Sequence, residues 1–329
     1  MKADRVKIVL GFIVISLIWG STWLAIKVGL ETIPPFSGVA LRFTIALFFF
    51  FIIMKTRGIR PPFDRDAIRV YVTMGTLSFS IPFGLIYWAE QYVPTGLASV
   101  LFAVYPLIIA ILSQVLLSGE RLNSFKVIGI ASGFLGVAVI FWQDLAGGSV
   151  SGPGMAAILV STLLQALSLI ITKKFGKHVS PVALSFCGIA FGLPIMCLMA
   201  GVLEGFSGIH FTLKGLASLA YLGTFGTVVT FTIYYWLLKR IEVVYLSLMS
   251  FVTPVIAVIL GTFWLGESLS SEVFLGASLV LLGLFIANSR DLRETIRRTR
   301  LRGGAIAREE SGTGPPLPEA YRQKGRAQE

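Results

Sequence analysis

The stretch GERLNSFKVIGIASGFLGVAVI, from Gly119 to Ile140, returns later in the chain as GESLSSEVFLGASLVLLGLFIA, from Gly266 to Ala287. Both stretches carry a glutamate, a serine and two glycines in the same order, at the constant offset between residues 119 and 266. The paired positions are Glu120 with Glu267, Ser124 with Ser271, Gly129 with Gly276 and Gly136 with Gly283. A repeat of this length predicts two related structural units in one chain.

The repeat continues upstream, at an offset one residue longer. The further pairs are Gly75-Thr76 with Gly223-Thr224, Tyr87-Trp88 with Tyr235-Trp236, and Pro106 with Pro254. Two glycine-rich apolar helices can resemble each other by chance, but an aromatic pair, a proline and a glutamate in one order indicate a real duplication.

Composition places the chain in a membrane. Of its 329 residues, 55% are hydrophobic and only 14% are charged, and the charges cluster between long apolar runs. Runs of about 20 residues, the length that crosses a hydrocarbon core of roughly 30 Å, recur throughout. Because the runs are continuously apolar rather than alternating, they predict helices and not a barrel.

We therefore predict an all-α polytopic membrane protein with ten transmembrane helices. The predicted spans are approximately Val6–Ile26, Pro35–Met54, Val70–Ala89, Thr95–Leu117, Val127–Trp142, Met155–Thr172, Pro181–Leu203, Leu216–Leu238, Val243–Leu265 and Val273–Asn288. Five spans in each unit is an odd number, so the second unit enters the membrane upside down. We expect two inverted five-helix repeats, residues 6–142 and 155–288, which is typical of alternating-access transporters.

Lysine and arginine placement predicts that both termini are cytoplasmic. Basic residues crowd the N-terminus, alternate connections and the C-terminal tail, whereas the opposite side carries only Lys27 and Lys214. The net charge of +11 then reflects topology and does not indicate nucleic-acid binding. The N-terminal segment lacks an obvious small-residue cleavage site, so we expect a retained first span in a plasma (inner) membrane.

The segment from residue 289 to 329 is predicted to be a basic cytoplasmic tail. Asp291–Arg302 either forms a basic helix on anionic lipid or stays solvated. Gly303–Glu329, with its three prolines, is predicted to be disordered.

The sequence offers no enzymatic, metal or cofactor site. Its only histidines, His178 and His210, fall in predicted loops, and no nucleophile triad or phosphate loop is present. Cys187 and Cys197 lie about 15 Å apart on one predicted helix, too far for a disulfide. We expect no enzyme activity and no cofactor.

Four motifs carry a resemblance to a known family. They are WGSTW (Trp19–Trp23), LRF (Leu41–Phe43), YPLIIAILSQVLLSGERL (Tyr105–Leu122) and TPVIAVILGTFWLGESL (Thr253–Leu269). In this order the sequence resembles the EamA-type transporters of the drug/metabolite transporter superfamily, from about Val6 to Ala287. The resemblance implies a secondary carrier, often an exporter of amino acids or other small metabolites, and it does not fix the substrate.

Arg42 is the most costly residue for a membrane, because a charge there costs about 2.5–3.5 kcal/mol on insertion scales unless it is relieved. It either holds a substrate carboxylate, or reaches the outer interface, or pairs with Glu90 or Glu31. Its repeat partner is Ile189, so any role is asymmetric.

The other candidate substrate-binding residues are polar or aromatic groups within spans. They are Trp19, Ser21, Thr22, Tyr87, Trp88, Tyr105, Gln165, Tyr235 and Trp236. The aromatic residues line a cavity or belong to an interfacial belt, and Gln165 binds substrate or bonds a neighbouring helix. Pro106 and Pro254 are candidate hinges or static kinks. Glu120 and Glu267 are expected to cap the helices that follow them.

The sequence thus predicts a secondary transporter that moves a small amino-acid-like or amphipathic solute by alternating access, with export favoured over import. An importer or antiporter of another metabolite, and a non-transporting receptor or scaffold with a recruiting tail, stay open as alternatives. The expected partners are a small-molecule solute and membrane lipid, with no nucleic acid; the oligomeric state is not predicted.

Overall fold

The computed structural model describes the backbone of residues 2–116, 124–145, 151–238, 240 and 249–310. Side chains are described for the same ranges except residues 2–5, 141, 143–145, 235, 238, 250, 251 and 291–310. Every regular element within these ranges is helical, which confirms the all-α class.

The first half contains seven α-helices and one π-helical segment. They are α1 (Lys2–Leu30), α2 (Pro35–Thr56), α3 (Arg65–Met74), π1 (Gly75–Ser80), α4 (Ile81–Glu90), α5 (Thr95–Phe102), α6 (Tyr105–Leu116) and α7 (Ser124–Leu145). Helices α3 and α4 form one rod through π1, whereas a turn at Ala103 and Val104 separates α5 from α6.

Over the described residues, the second half contains six α-helices and one π-helical segment in a similar order, with one helix where the first half has α5 and α6. They are α8 (Gly152–Phe175), α9 (Pro181–Glu204), α10 (Leu213–Gly223), π2 (Thr224–Val229), α11 (Thr230–Leu238), α12 (Met249–Leu265) and α13 (Ser271–Glu310). Helix α13 continues past the repeat into the basic segment and reaches Glu310, further than the sequence predicts for a helix. Residues 311–329 lie outside the described part of the chain.

The helices have the length and apolarity of membrane spans. In the described residues, 8 helical stretches meet both conditions, and two shorter apolar helices cover Ser124–Ile140 and Val252–Leu265. Large apolar side chains such as Phe48, Leu198 and Phe263 point outward, with exposed fractions of 60%, 64% and 85%. An outer surface of this kind suits lipid rather than water, so the chain is an integral membrane protein.

The two π segments occupy matching places in the repeats, since Gly75 corresponds to Gly223. A π turn leaves a backbone carbonyl without its usual helical donor, and a hydroxyl supplies one in each case. Ser80 donates to the carbonyl of Gly75, and Thr227 donates to that of Leu222 at 2.8 Å. Ser80 also bonds Gly192 in α9 at 3.0 Å, so π1 is fixed against a second helix.

Helices α7 and α13 pack through glycines. A β-carbon on Gly283 would lie 2.5 Å from the carbonyl oxygen of Gly129, and one on Gly136 would lie 2.5 Å from that of Gly276. Either distance is shorter than a van der Waals contact, so the two backbones approach as closely as glycine allows. This order of contacts makes α7 and α13 antiparallel.

The two candidate hinge prolines have different surroundings. Pro106 is the second residue of α6, directly after the turn that ends α5, where a missing N–H is tolerated. Pro254 lies inside α12 and is buried. Pro106 therefore removes no hydrogen bond from the interior of its helix, whereas Pro254 removes one inside α12.

A glutamate at the end of α9 binds the N-terminus of α2. Glu204, the last residue of α9, accepts bonds from the backbone N–H groups of Phe36 and Ser37 at 2.8 Å each, and from the hydroxyl of Ser37 at 2.6 Å. A carboxylate at a helix N-terminus satisfies unpaired donors and complements the helix dipole. This contact therefore fixes α2 to α9.

Candidate functional site

Arg42 lies in the interior of the helix bundle, and its side chain does not reach the surface: only 3% of the residue is exposed. Its guanidinium donates to the hydroxyl of Thr227 at 3.2 Å, to the carbonyl oxygen of Gly226 at 3.4 Å and to the hydroxyl of Tyr87 at 3.4 Å. Two of these acceptors belong to π2, so the guanidinium of Arg42 in the first half is hydrogen-bonded to the second half.

No carboxylate among the described residues forms an ion pair with Arg42. Of the two partners that the sequence suggested, Glu31 pairs instead with Lys214 at 3.7 Å, and the carboxylate oxygens of Glu90 accept no hydrogen bond. The interpretations of Arg42 as a surface-reaching or ion-paired side chain are therefore wrong. A guanidinium has five N–H donors, and the three bonds it makes are long ones, which leaves capacity for an anionic ligand.

Aromatic rings surround the guanidinium and extend from it. Its central carbon lies 4.8 Å from the ring centre of Phe83 and 5.4 Å from that of Phe43, distances at which a cation is attracted to a ring face. Successive rings at centroid distances of 5.0–6.2 Å form one aromatic cluster: Phe83, Phe43, Phe79, Phe231, Trp19 and Tyr234.

The aromatic cluster connects two of the predicted residues, Arg42 and Trp19. Trp19 is half-buried, with its ring edge-to-face against Phe231 at 6.1 Å and tilted against Tyr234 at 5.5 Å. Tyr87 is 3% exposed and contacts Arg42, so it does not belong to an interfacial belt. The structure thus brings Trp19, Arg42 and Tyr87 into one continuous region.

Ser21 and Thr22 use their hydroxyls within the protein. Ser21 bonds the phenol of Tyr221 at 2.6 Å, and Thr22 donates to the carbonyl oxygen of Trp19 at 2.7 Å. The first contact joins α1 to α10, and the second stays inside α1. Both hydroxyls have partners already, so their contribution is to packing in this conformation.

The remaining candidates are spread along the molecule. Trp88 is half-buried and packs on Tyr92 at 5.4 Å. Tyr105 stacks on Phe102 at 5.6 Å, and Gln165 donates to Ser161 one turn away at 3.2 Å.

The repeat partners of the Tyr-Trp pair lie at the end of α11. Trp236 is half-buried beneath the guanidinium of Arg240, at 4.2 Å. The side chain of Tyr235 lies outside the described residues.

Glu90 is a residue that the sequence suggested only as an ion-pair partner of Arg42. It ends α4 with no exposure, and neither carboxylate oxygen has a hydrogen-bond partner among the described residues. The amine of Lys27 donates instead to the backbone carbonyls of Glu90 and of Val93, the latter at 3.3 Å. The sequence signal that could have indicated Glu90 is its spacing from Tyr87. The two residues are three positions apart and share a helix face.

A cavity of about 590 Å³ adjoins Glu90 at the ends of α1, α4 and α12. Its lining residues are Lys27, Leu30, Glu31, Glu90, Gln91, Tyr92, Val93, Pro94, Leu265 and Glu267. We call it the Glu90 cavity. One lysine and three glutamates make it a highly charged recess.

The sequence suggested that Glu267 caps the helix that follows it, and this is wrong. Its two carboxylate oxygens accept bonds from the backbone N–H groups of Thr95 at 2.8 Å and Gly96 at 3.3 Å. They hold the start of α5, while the hydroxyl of Ser270 caps α13 through Val273 at 3.3 Å. Glu120 lies outside the described residues.

Comparisons with known proteins agree with this architecture. A profile of the EamA-like transporter family matches residues 6–142 and 152–289. The chain is 27% identical over 282 residues to the uncharacterized transporter YoaV of Bacillus subtilis, covering 85% of this chain and 96% of that one. It is 28% identical over 277 residues to the uncharacterized inner membrane transporter YedA of Escherichia coli K12, covering 82% and 87%.

Two further likenesses concern a curated protein and a solved structure. Protein PagO of Salmonella typhimurium is 28% identical over 291 residues, covering 86% of this chain and 93% of its own. A crystal structure titled only as that of a protein superimposes with a TM-score of 0.63 at 21% identity, covering 87% of this chain and 98% of that chain. At that identity the superposition is informative about the fold alone.

Proposed function

Because this chain belongs to the EamA-like transporter family, we propose that it carries a small organic solute with an anionic group and an apolar part across the membrane by alternating access. The observation that supports the anionic group is Arg42, buried with spare N–H donors and without a carboxylate partner among the described residues. The apolar part is suited to the aromatic cluster that extends from Phe83 to Trp19.

Alternating access in this proposal rests on two inverted five-helix repeats. The glycine contacts support it, because exchanging each residue of the Gly129–Gly283 pair for its repeat partner produces the Gly276–Gly136 pair, which is also in contact. The matching positions of π1 and π2 support it as well. Repeats related in this way exchange conformations between the two sides of a membrane.

The site joins the repeats, which is what a carrier requires. Arg42 comes from α2 in the first repeat and is seated on Thr227 and Gly226 in the second. A rocking motion of one repeat against the other would move the guanidinium relative to its acceptors. A solute carboxylate that takes the place of one of these acceptors would therefore move together with the guanidinium.

Charge placement supports the proposed orientation, and the family resemblance supports the proposed direction of transport. The basic segments put both termini in the cytoplasm and the Glu90 cavity on the outside, in keeping with the positive-inside rule. We propose export as the physiological direction. The relatives' printed names, which include transporters and an inner membrane transporter, agree with a carrier in a plasma (inner) membrane.

Counterflow in proteoliposomes tests the proposal. Purified protein is reconstituted with a trapped unlabelled solute, and uptake of trace label is followed for panels of amino acids, organic acids, polyamines and nucleosides. Uptake of an amphipathic carboxylate, and not of a polyamine, is expected. Folded protein that shows no counterflow with any carboxylate would contradict it.

The receptor or scaffold alternative is tested with a shortened chain. Deleting residues 311–329 removes the segment beyond the last described helix and leaves α13 complete. A carrier is expected to keep its counterflow after this deletion, whereas a scaffold whose tail recruits a partner would lose its activity in the cell.

A further inference from the structure

Glu90 is buried in a way that a charged carboxylate tolerates poorly. It has no exposure, and neither oxygen accepts a hydrogen bond from the described residues. An ionised carboxylate loses strong hydration on burial and needs bonds in return, whereas a neutral carboxyl group loses far less. The arrangement around Glu90 is therefore one that suits a protonated side chain.

The charged groups that face Glu90 come from two helices and from the connections that follow α1 and α12. They are Lys27 of α1, Arg42 of α2, Glu267 after α12, and Glu31, which lines the same cavity at the end of α1. Glu267 opposes a negative charge on Glu90, and its own carboxylate is already used at the start of α5. Lys27 favours a negative charge on Glu90. A helix movement that changes the distance from Glu90 to Lys27 or to Glu267 would therefore change which form of the carboxyl group is favoured.

Lys27 gives this balance two alternative arrangements. At present its amine donates to the carbonyl oxygens of Glu90 and Val93 at the end of α4. A short shift of α1 against α4 would let the amine reach the carboxylate of Glu90 instead. An ion pair with Lys27 would stabilise the ionised form, whereas in the present arrangement no described residue donates a hydrogen bond to the carboxyl group.

A proton suits the position better than a metal cation does. A sodium ion needs several oxygen ligands, and the ammonium group of Lys27 next to Glu90 repels it. Sodium is nevertheless the competing ion that an experiment must separate from a proton.

The helix that carries Glu90 also contacts the proposed solute site. Tyr87 lies three residues before Glu90 on α4 and bonds the guanidinium of Arg42 at 3.4 Å. At 1.5 Å per residue, about 4.5 Å of helix separates the two positions. A change in the position of α4 therefore reaches both groups together.

We propose that the carboxyl group of Glu90 takes up a proton from the Glu90 cavity and releases it on the opposite side during the transport cycle, so that proton entry accompanies solute exit. This coupling rests on the proposed transport function, but the protonation of Glu90 itself does not. The cavity of about 590 Å³ supplies the path from one side, and the absence of exposure in this conformation corresponds to an occluded carboxyl group.

Infrared difference spectroscopy tests the protonation without a solute. Spectra of the reconstituted protein at acidic and alkaline pH are subtracted, and the carbonyl stretch of a protonated carboxyl group is measured. We expect a titrating band in the wild type and in Glu31→Gln, a matched change in the same cavity, and none at that position in Glu90→Gln. Glu90→Asp, which keeps the carboxyl group, should show a shifted band. A band unchanged in folded Glu90→Gln would overturn the proposal.

Transport measurements test the coupling with a solute found by counterflow. An inward proton gradient should accelerate solute efflux from wild-type and Glu31→Gln liposomes several-fold, while Glu90→Gln keeps counterflow but no longer responds to the gradient. Counterflow in the wild type with no response to the proton gradient would overturn the coupling and leave the transport function standing. Dependence on sodium in place of protons would overturn it as well.

Discussion

The hydroxyl of Ser132 in α7 donates a hydrogen bond of 3.1 Å to the carbonyl oxygen of Leu279 in α13, and these two residues occupy the same position in the two repeats. Contact between equivalent residues is expected where two antiparallel helices are related by a local two-fold axis. The glycine contacts lie on either side of this bond. The α7–α13 pair thus has the geometry that an inverted duplication favours.

Side chains introduced into this interface should weaken it. Gly283→Val would place its β-carbon 2.5 Å from the carbonyl oxygen of Gly129, so the helices must separate. Overpacking of this kind costs about 1–3 kcal/mol. Thermal unfolding in detergent should show the loss, and Ala138→Leu, on an exposed position of α7, should not. Equal stability of the two variants would contradict the close contact.

Removing the charge of Arg42 should abolish transport of an anionic solute and leave the fold intact. In Arg42→Gln we expect counterflow to fall by at least tenfold, since a charge-assisted bond contributes about 1.5–3 kcal/mol. Arg42→Lys should recover little, because lysine lacks the planar fork of donors. Arg69→Gln, at an exposed ion pair with Asp66, is the control. Full transport by an inserted Arg42→Gln protein would remove Arg42 from the site.

The carboxylate of Glu267 should stabilise the start of α5. Glu267→Gln removes its charge from the N–H groups of Thr95 and Gly96, at a cost of about 0.5–2 kcal/mol. Glu204→Gln, which affects the start of α2 in the same way, should behave alike. Glu31→Gln loses only an exposed pair with Lys214 and should change the unfolding temperature less than either.

A pH dependence is expected at the exposed end of α3. Asp64 accepts bonds from the N–H groups of Ala67 and Asp66 and faces His178 at 2.9 Å. The Ala67 bond first, and then His178, hold the pKa of Asp64 below its ordinary value of 3.8. A lowered pKa in the folded state stabilises the protein above the unfolded-state pKa, and this is lost as the pH falls through the folded-state value.

Asp64→Asn should therefore unfold at a lower temperature than the wild type near neutral pH. The two unfolding curves should converge as the pH falls below about 4, the ordinary range of an aspartate. Curves that remain equally separated down to the most acidic pH that the fold tolerates would show that the carboxylate charge is not responsible.

The amino-acid sequence was informative about helices because membrane spans have a simple requirement, a long apolar run, which Pro35–Thr56 and Pro181–Glu204 meet. It was informative about Arg42 because a charge within such a run is costly unless polar groups or a ligand interact with it. The family resemblance from the four motifs is confirmed by the profile match over both halves.

Other features depend on contacts between distant segments, and the sequence could not supply them. Glu267 caps α5 rather than α13 because the fold brings Thr95 next to it, while Ser270 alone is close enough in sequence for a local cap. From the sequence Glu90 was only a possible ion-pair partner of Arg42, and the fold shows that the described residues leave both of its carboxylate oxygens without a hydrogen bond. The π segments have no periodicity of their own over six residues.

The π1 segment has a consequence for deletions and insertions along the third rod. A π turn is an α-helix with one residue too many, so deleting a residue from Gly75–Ser80 would leave a shorter but regular helix that still crosses the membrane. The part beyond the deletion would keep its orientation about the helix axis, because the wide turn holds the extra residue, whereas a deletion in the regular part of α3 would turn it by about 100°. Tyr87 and Glu90 would therefore keep their places after a deletion within π1, while the same deletion within α3 would turn the phenol away from Arg42 and the carboxyl group away from the cavity.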